Sequence, residues 1–145
     1  MSPNREVSSG KVKIVISQLD NSIELASFYR SRYHLGRTNV TKAHQILQLA
    51  VIGYRYKDQV NAHSHNPLPR KTVGTSECWI IMKGKIKINL FDTDNTLVYS
   101  THLYKGDMGI FYSGGHSLEV VSRKAQIYEL KNGPYEGDVL DKKQI

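Results

Sequence analysis

The chain has one cysteine, one tryptophan, four prolines and no long apolar run. With a single thiol, Cys78, it cannot form an internal disulfide, which fits a reducing compartment and an expected cytoplasmic location. No apolar stretch approaches the ~20 residues a bilayer-spanning helix needs, so no membrane partner is expected. The opening Met-Ser-Pro-Asn-Arg-Glu leads into no apolar segment of the kind a secretory signal carries. Standard nucleic-acid-binding motifs and dense basic runs are missing too, which argues against a nucleic-acid partner.

What remains is a single-domain length, 145 residues, with 39% hydrophobic and 23% charged residues. That composition is globular rather than disordered. The net charge is +7, and it is uneven. Residues 1–58 carry nine Lys/Arg against four Asp/Glu, whereas residues 59–145 carry eleven against nine. Arg30, Arg32, Arg37, Lys42, Arg55 and Lys57 make up most of the excess. They form either a solvated face or a patch for an anionic small molecule.

Lys11 to Ile16 alternates as a short strand would. Asp20 is placed to cap a helix whose apolar positions Ile23, Leu25, Ala26, Phe28 and Tyr29 recur at roughly helical spacing. Gly36 and Thr38-Asn39 then mark a loop. From His44 onward the pattern is strand. Ile46 to Ile52, Asn61 to His65 and Glu77 to Met82 come first, and Ile86, Ile88 and Leu90 then alternate with Lys85, Lys87 and Asn89. Asp92 to Asn95 is turn chemistry before a return strand, Leu97 to Leu103. Met108 to Tyr112, His116 to Val121 and Ala125 to Leu130 complete the set, and Asn132-Gly133-Pro134 stops it. The expected fold is therefore mainly β, an antiparallel barrel or jelly roll preceded by one N-terminal helix. Residues 1–43 form a tail, a short strand and a basic helix; 44–137 form the barrel; 138–145 form a polar tail.

The histidines carry the chemistry. His63 and His65 are two apart on an expected strand, so their side chains share a face. Glu77 begins an otherwise apolar strand and shares its face with Trp79 and Ile81. A carboxylate there is costly to bury without a cation or several donors. His116 follows Gly114-Gly115 and shares a face with Leu118 and Val120. Three imidazoles and one carboxylate converging in a barrel suit one divalent transition metal, iron, manganese, nickel or zinc. His34, His44 and His102 lack acidic or histidine companions at ligand spacing. Arg70 and Lys71 lie between His65 and Glu77, where they are candidates to hold a phosphate or carboxylate of a substrate. Tyr112 is a candidate hydroxyl donor, and His63 and His65 are candidate proton carriers. Cys78 falls on the face opposite Glu77 and is expected to be buried.

His63-Ser-His65, Glu77 and, after six more residues, Gly84 resemble the first motif of the cupin superfamily. Gly106-Asp107 through Gly114-Gly115-His116 is similar to the second. Two departures stand out. Eleven residues separate His65 from Glu77, more than typical cupins have, and Tyr112 replaces the usual proline. Ile127-Tyr-Glu-Leu-Lys-Asn-Gly-Pro-Tyr135, Gln48 to Ile52 and the basic run Arg30 to His34 resemble the WbuC-type cupin-fold metalloproteins. The resemblance implies a metal-binding cupin acting on a sugar or nucleotide-sugar in bacterial surface-polysaccharide biosynthesis, with isomerase- or epimerase-like chemistry. It also implies a homodimer. A non-catalytic sugar- or anion-binding module, a metal-free sugar-nucleotide isomerase and a metal-dependent dioxygenase are the alternatives.

Overall fold

The computed structural model describes residues 7–9 and 12–145, with side chains from residue 12 onward. Among them are eleven strands and one helical turn. The largest sheet is antiparallel and six-stranded. Its order is β1 (Val7–Ser9), β2 (Val12–Ile16), β3 (Glu24–Tyr29), β9 (Met108–Phe111), β6 (Glu77–Lys83) and β11 (Gln126–Lys131). A second sheet runs β10 (Gly115–Val120), β7 (Lys85–Phe91), β8 (Leu97–Tyr104). The third is a hairpin of β4 (Gly36–Asn39) and β5 (Ala50–Gly53). The helical turn α1 covers Asp138–Asp141.

The first two sheets pack face to face. Val15, Leu25, Phe28, Trp79, Ile81 and Phe111 of the large sheet meet Ile86, Ile88, Leu90 and Leu103 of the small one. All ten are buried, so the alternation in β7 was a faithful sign of one inward face. The other face of the large sheet is apolar as well. Val12, Tyr29, Cys78, Met108 and Ile110 lie there, covered by Val40, Leu47, Leu49 and Val51. The result is a two-sheet sandwich with an extra flap; the sheets do not close into a barrel.

The expected helix over residues 23–29 is a strand. β3 pairs with β2 on one side and β9 on the other, in the middle of the large sheet. Both of its faces are covered, so Leu25, Ala26, Phe28 and Tyr29 are all buried and the period-two signature is erased. Asp20 caps no helix. Its carboxylate accepts hydrogen bonds from the backbone N–H and hydroxyl of Ser22, at 2.8 and 2.7 Å, as an Asx turn does. The strand expected at Asn61–His65 is also not formed: residues 54–76, between β5 and β6, contain no strand or helix. Of Ile46 to Ile52, only the end belongs to a strand, in β5.

Two buried carboxylates pin the loops. Asp107 accepts from the Ser31 N–H at 2.8 Å, the Tyr104 N–H at 3.0 Å and the Arg30 guanidinium at 2.9 Å. Arg30, from the expected basic patch, is thereby fixed to the β8–β9 turn. Gly106 in that turn has φ +87°, and a Cβ there would stand 2.5 Å from Ser31 Oγ, so only glycine fits. Asp92 accepts from Ser17 Oγ at 2.6 Å and from the N–H groups of Gln18 and Thr93 at 2.7 and 2.8 Å. Burial pushes its pKa up, and these hydrogen bonds outweigh burial, so the group titrates below its ordinary value.

Candidate functional site

A cleft of about 760 Å³ opens at one end of the sandwich. Its inner wall includes Glu77, Trp79, His116 and Glu129, and residues 141–145 run along its outer side. Strand register explains how this wall is assembled. Glu77, at the head of β6, pairs with Phe111 of β9 on one side and Lys131 of β11 on the other. Two residues on, Trp79 pairs with Glu129. Cross-strand partners share a face, so Lys131, Glu77 and Phe111 form one row and Glu129 and Trp79 the next. Trp79 Nε1–H donates to Glu129 Oε2 at 3.2 Å, which fixes the indole. His116 arrives from the opposite sheet, at the head of β10.

The His116 ring stacks on Phe111, centroids 4.2 Å apart and planes 13° off parallel, and meets the edge of Trp79 at 4.9 Å. Its Nε2 lies 3.8 Å from Glu77 Oε1, while Lys131 Nζ lies 3.8 Å from Glu77 Oε2. Burial alone would raise the Glu77 pKa. The His116 imidazole, with the Lys131 ammonium behind it, overcomes burial and holds the carboxyl down, to about 2. Lys131 also lies 3.1 Å from Glu129 Oε1, and that contact, ahead of Glu77, raises the ammonium's pKa. The wall thus presents a fixed carboxylate, an imidazole and an ammonium beside two aromatic rings.

The expected site residues divide into two groups. Glu77 and His116 come together, as the sequence order implied. His63 and His65 stand edge-to-face, 5.3 Å between centroids, on the exposed segment 54–75, and neither lines the cleft. His63 Nδ1 lies 2.9 Å from the carbonyl oxygen of Asn61. Arg70 and Lys71 are exposed on the same segment and line no part of the cleft. Tyr112 lies on the far side of the large sheet with the second apolar cluster, and its hydroxyl donates to Ser27 Oγ at 3.0 Å. Burial there pushes its pKa up to about 12, so it is a packing residue in this structure. Cys78 is buried on that same side, and burial raises its thiol pKa to about 11.

Among the described residues no group of three or more His, Cys, Asp or Glu side chains is placed to hold a metal ion. Of the four expected ligands only Glu77 and His116 meet at the cleft, and Glu77 is already paired with an ammonium. A divalent transition ion takes three or four protein ligands. The donor set as placed does not fit a resident metal.

Sequence reasoning missed Lys131 and Glu129. The alternation Ile127, Glu129, Lys131 put them on one face, but only the β6–β11 register reveals which residues they face. No protein-family model, no curated protein and no solved structure matches the chain. Among the described residues no helix is long and apolar enough to cross a membrane.

Proposed function

We propose that the cleft binds a small polar molecule with an apolar ring face, of the sugar or nucleotide-sugar type, and that Glu77 and His116 move a proton on it. The observation that carries this reading is the Glu77–His116 pair, 3.8 Å apart against the Trp79 and Phe111 rings in an open cleft. Aromatic surface suits the C–H face of a sugar, and the surrounding carboxylates and lysines suit its hydroxyls.

The chemistry follows from charge. Glu77 is ionised at any physiological pH, so its carboxylate faces the His116 ring as a fixed negative charge. A neutral His116 can take a proton from carbon next to a substrate carbonyl, leaving an enediolate and an imidazolium. Returning the proton to the neighbouring carbon, while the hydroxyl proton passes between the two enediolate oxygens, completes an isomerisation; returning it to the other face of the same carbon would invert it and need a second acid. Lys131, beside it in the same row and itself paired with Glu129, holds Glu77 in place. The resemblance to WbuC-type cupins supports a role in surface-polysaccharide biosynthesis.

Ligand-detected NMR against free hexoses and nucleoside-diphosphate sugars tests binding, and the same mixtures in D₂O test chemistry. Deuterium entering a sugar carbon with the natural protein, and not with His116→Ala, is the expected result. Binding without exchange would make the cleft a non-catalytic module. Failure of every sugar to bind would remove the reading.

A further inference from the structure

The outer side of the cleft is formed by a segment that belongs to no sheet. Residues 141–145 line it, starting from the last residue of α1. That helical turn buries none of its residues, and Val139 is 93% exposed. A lone turn this short is not stable on its own in water. Polar side chains hold it instead. The Tyr135 hydroxyl donates to Asp138 at 2.7 Å, Lys142 lies 3.1 Å from the same carboxylate, and the Thr75 hydroxyl donates to Asp141 at 2.9 Å. Of these three contacts, only the last reaches across to the sandwich. All of them are exposed, where ion pairs and hydrogen bonds hold weakly.

The far end of the segment rests on Gly115. A Cβ there would stand 2.4 Å from Ile145 Cδ1, so the missing side chain makes the seat. The seat is shallow, since Ile145 stays 58% exposed. The two anchors flank the Glu77–His116 pair. Thr75 lies two residues before Glu77, and Gly115 lies one residue before His116. The segment therefore spans the cleft between the heads of β6 and β10, the strands that carry the pair. With the segment in place the cleft still measures about 760 Å³, so the segment encloses the space and does not fill it. We propose that residues 141–145 are a lid, whose Ile145 leaves Gly115 to open the cleft and returns to close it. That the lid admits and retains a ligand rests on reading the cleft as the functional site; its opening and closing do not.

A reversible lock tests this without any ligand. A Cβ at Gly115 would lie 3.6 Å from Ile145 Cγ1, the position a cysteine sulfur at 145 takes, so Gly115→Cys/Ile145→Cys places two thiols within bonding reach. Cys78 is buried on the other face of the large sheet, away from both. Diethyl pyrocarbonate, which acylates neutral imidazole, reads access to His116, and the exposed His63 and His65 calibrate the reagent in the same digest. Under mild oxidation the double variant should form an intrachain disulfide. His116 should then react several-fold more slowly than in the same protein after reduction, with the rates at His63 and His65 unchanged. Ile145→Ser, which removes the latch and leaves the sandwich intact, should speed the reaction at His116 several-fold over the natural protein. Free thiols after oxidation, or one His116 rate in the locked, reduced and Ile145→Ser proteins, would overturn the lid. Neither result depends on a sugar binding, so failure of every sugar to bind would remove the proposed function and leave the lid standing.

Discussion

Lys131 faces Glu77 directly across the β6–β11 ladder, its ammonium 3.8 Å from one carboxylate oxygen while His116 stands 3.8 Å from the other. The carboxylate is thus held between two nitrogen groups that come from different sheets. Such a pair is sensitive to acid. The Glu77 carboxyl titrates near 4.5 in an unfolded chain and at about 2 in the folded one. The unfolded state therefore binds the proton first as pH falls. The stabilisation is complete above pH 4.5 and disappears as pH drops from there through about 2. Urea midpoints at pH 6 and pH 3 should fall further for the natural protein than for Glu77→Gln. At neutral pH that substitution should cost on the order of 2 kcal/mol, because it strips a charge from a largely buried pair. Equal slopes for the two proteins would show that Glu77 is not held by this pair.

Tyr112→Phe separates packing from chemistry. The hydroxyl bonds Ser27 inside the second apolar cluster, so its loss should lower stability by about 1 kcal/mol, as a buried hydrogen bond does. Ligand binding and deuterium exchange should be unchanged. A large loss of exchange with little loss of stability would return Tyr112 to the list of proton donors.

Asp107→Asn probes the link between the β8–β9 turn and the end of β3. The carboxylate serves Ser31, Tyr104 and Arg30 at once, one oxygen accepting from Ser31 and the other from Tyr104 and Arg30. An amide keeps only one acceptor oxygen. The expected cost is about 2–3 kcal/mol, read from chemical denaturation, with the cleft's ligand affinity preserved.

How much of this was legible in the sequence depended on how local each feature is. Ile86, Ile88 and Leu90 alternate because β7 has one wet face, and the β7–β8 hairpin is closed by turn residues at Asp92 to Asn95. Cys78 fell on the face opposite Trp79 for the same reason. β3 was misread as helix because both its faces are buried, a property set by its neighbours β2 and β9. Glu77 and His116 could be singled out as polar residues at the head of inward faces. Lys131 could not, since its partner is fixed by a register that spans fifty-odd residues of chain. His63 and His65 show the remaining limit. Their alternation is that of a strand, yet a strand forms only where an edge accepts it.

Arg70 and Lys71 stand exposed and line no part of the cleft, so in this structure neither reaches a ligand held there. Arg70→Ala and Lys71→Ala should each leave the melting temperature and the affinity for a nucleoside-diphosphate sugar unchanged. A several-fold loss for Arg70→Ala, with a smaller loss for the free hexose, would show instead that its guanidinium holds the pyrophosphate, the group it can grip in bidentate fashion.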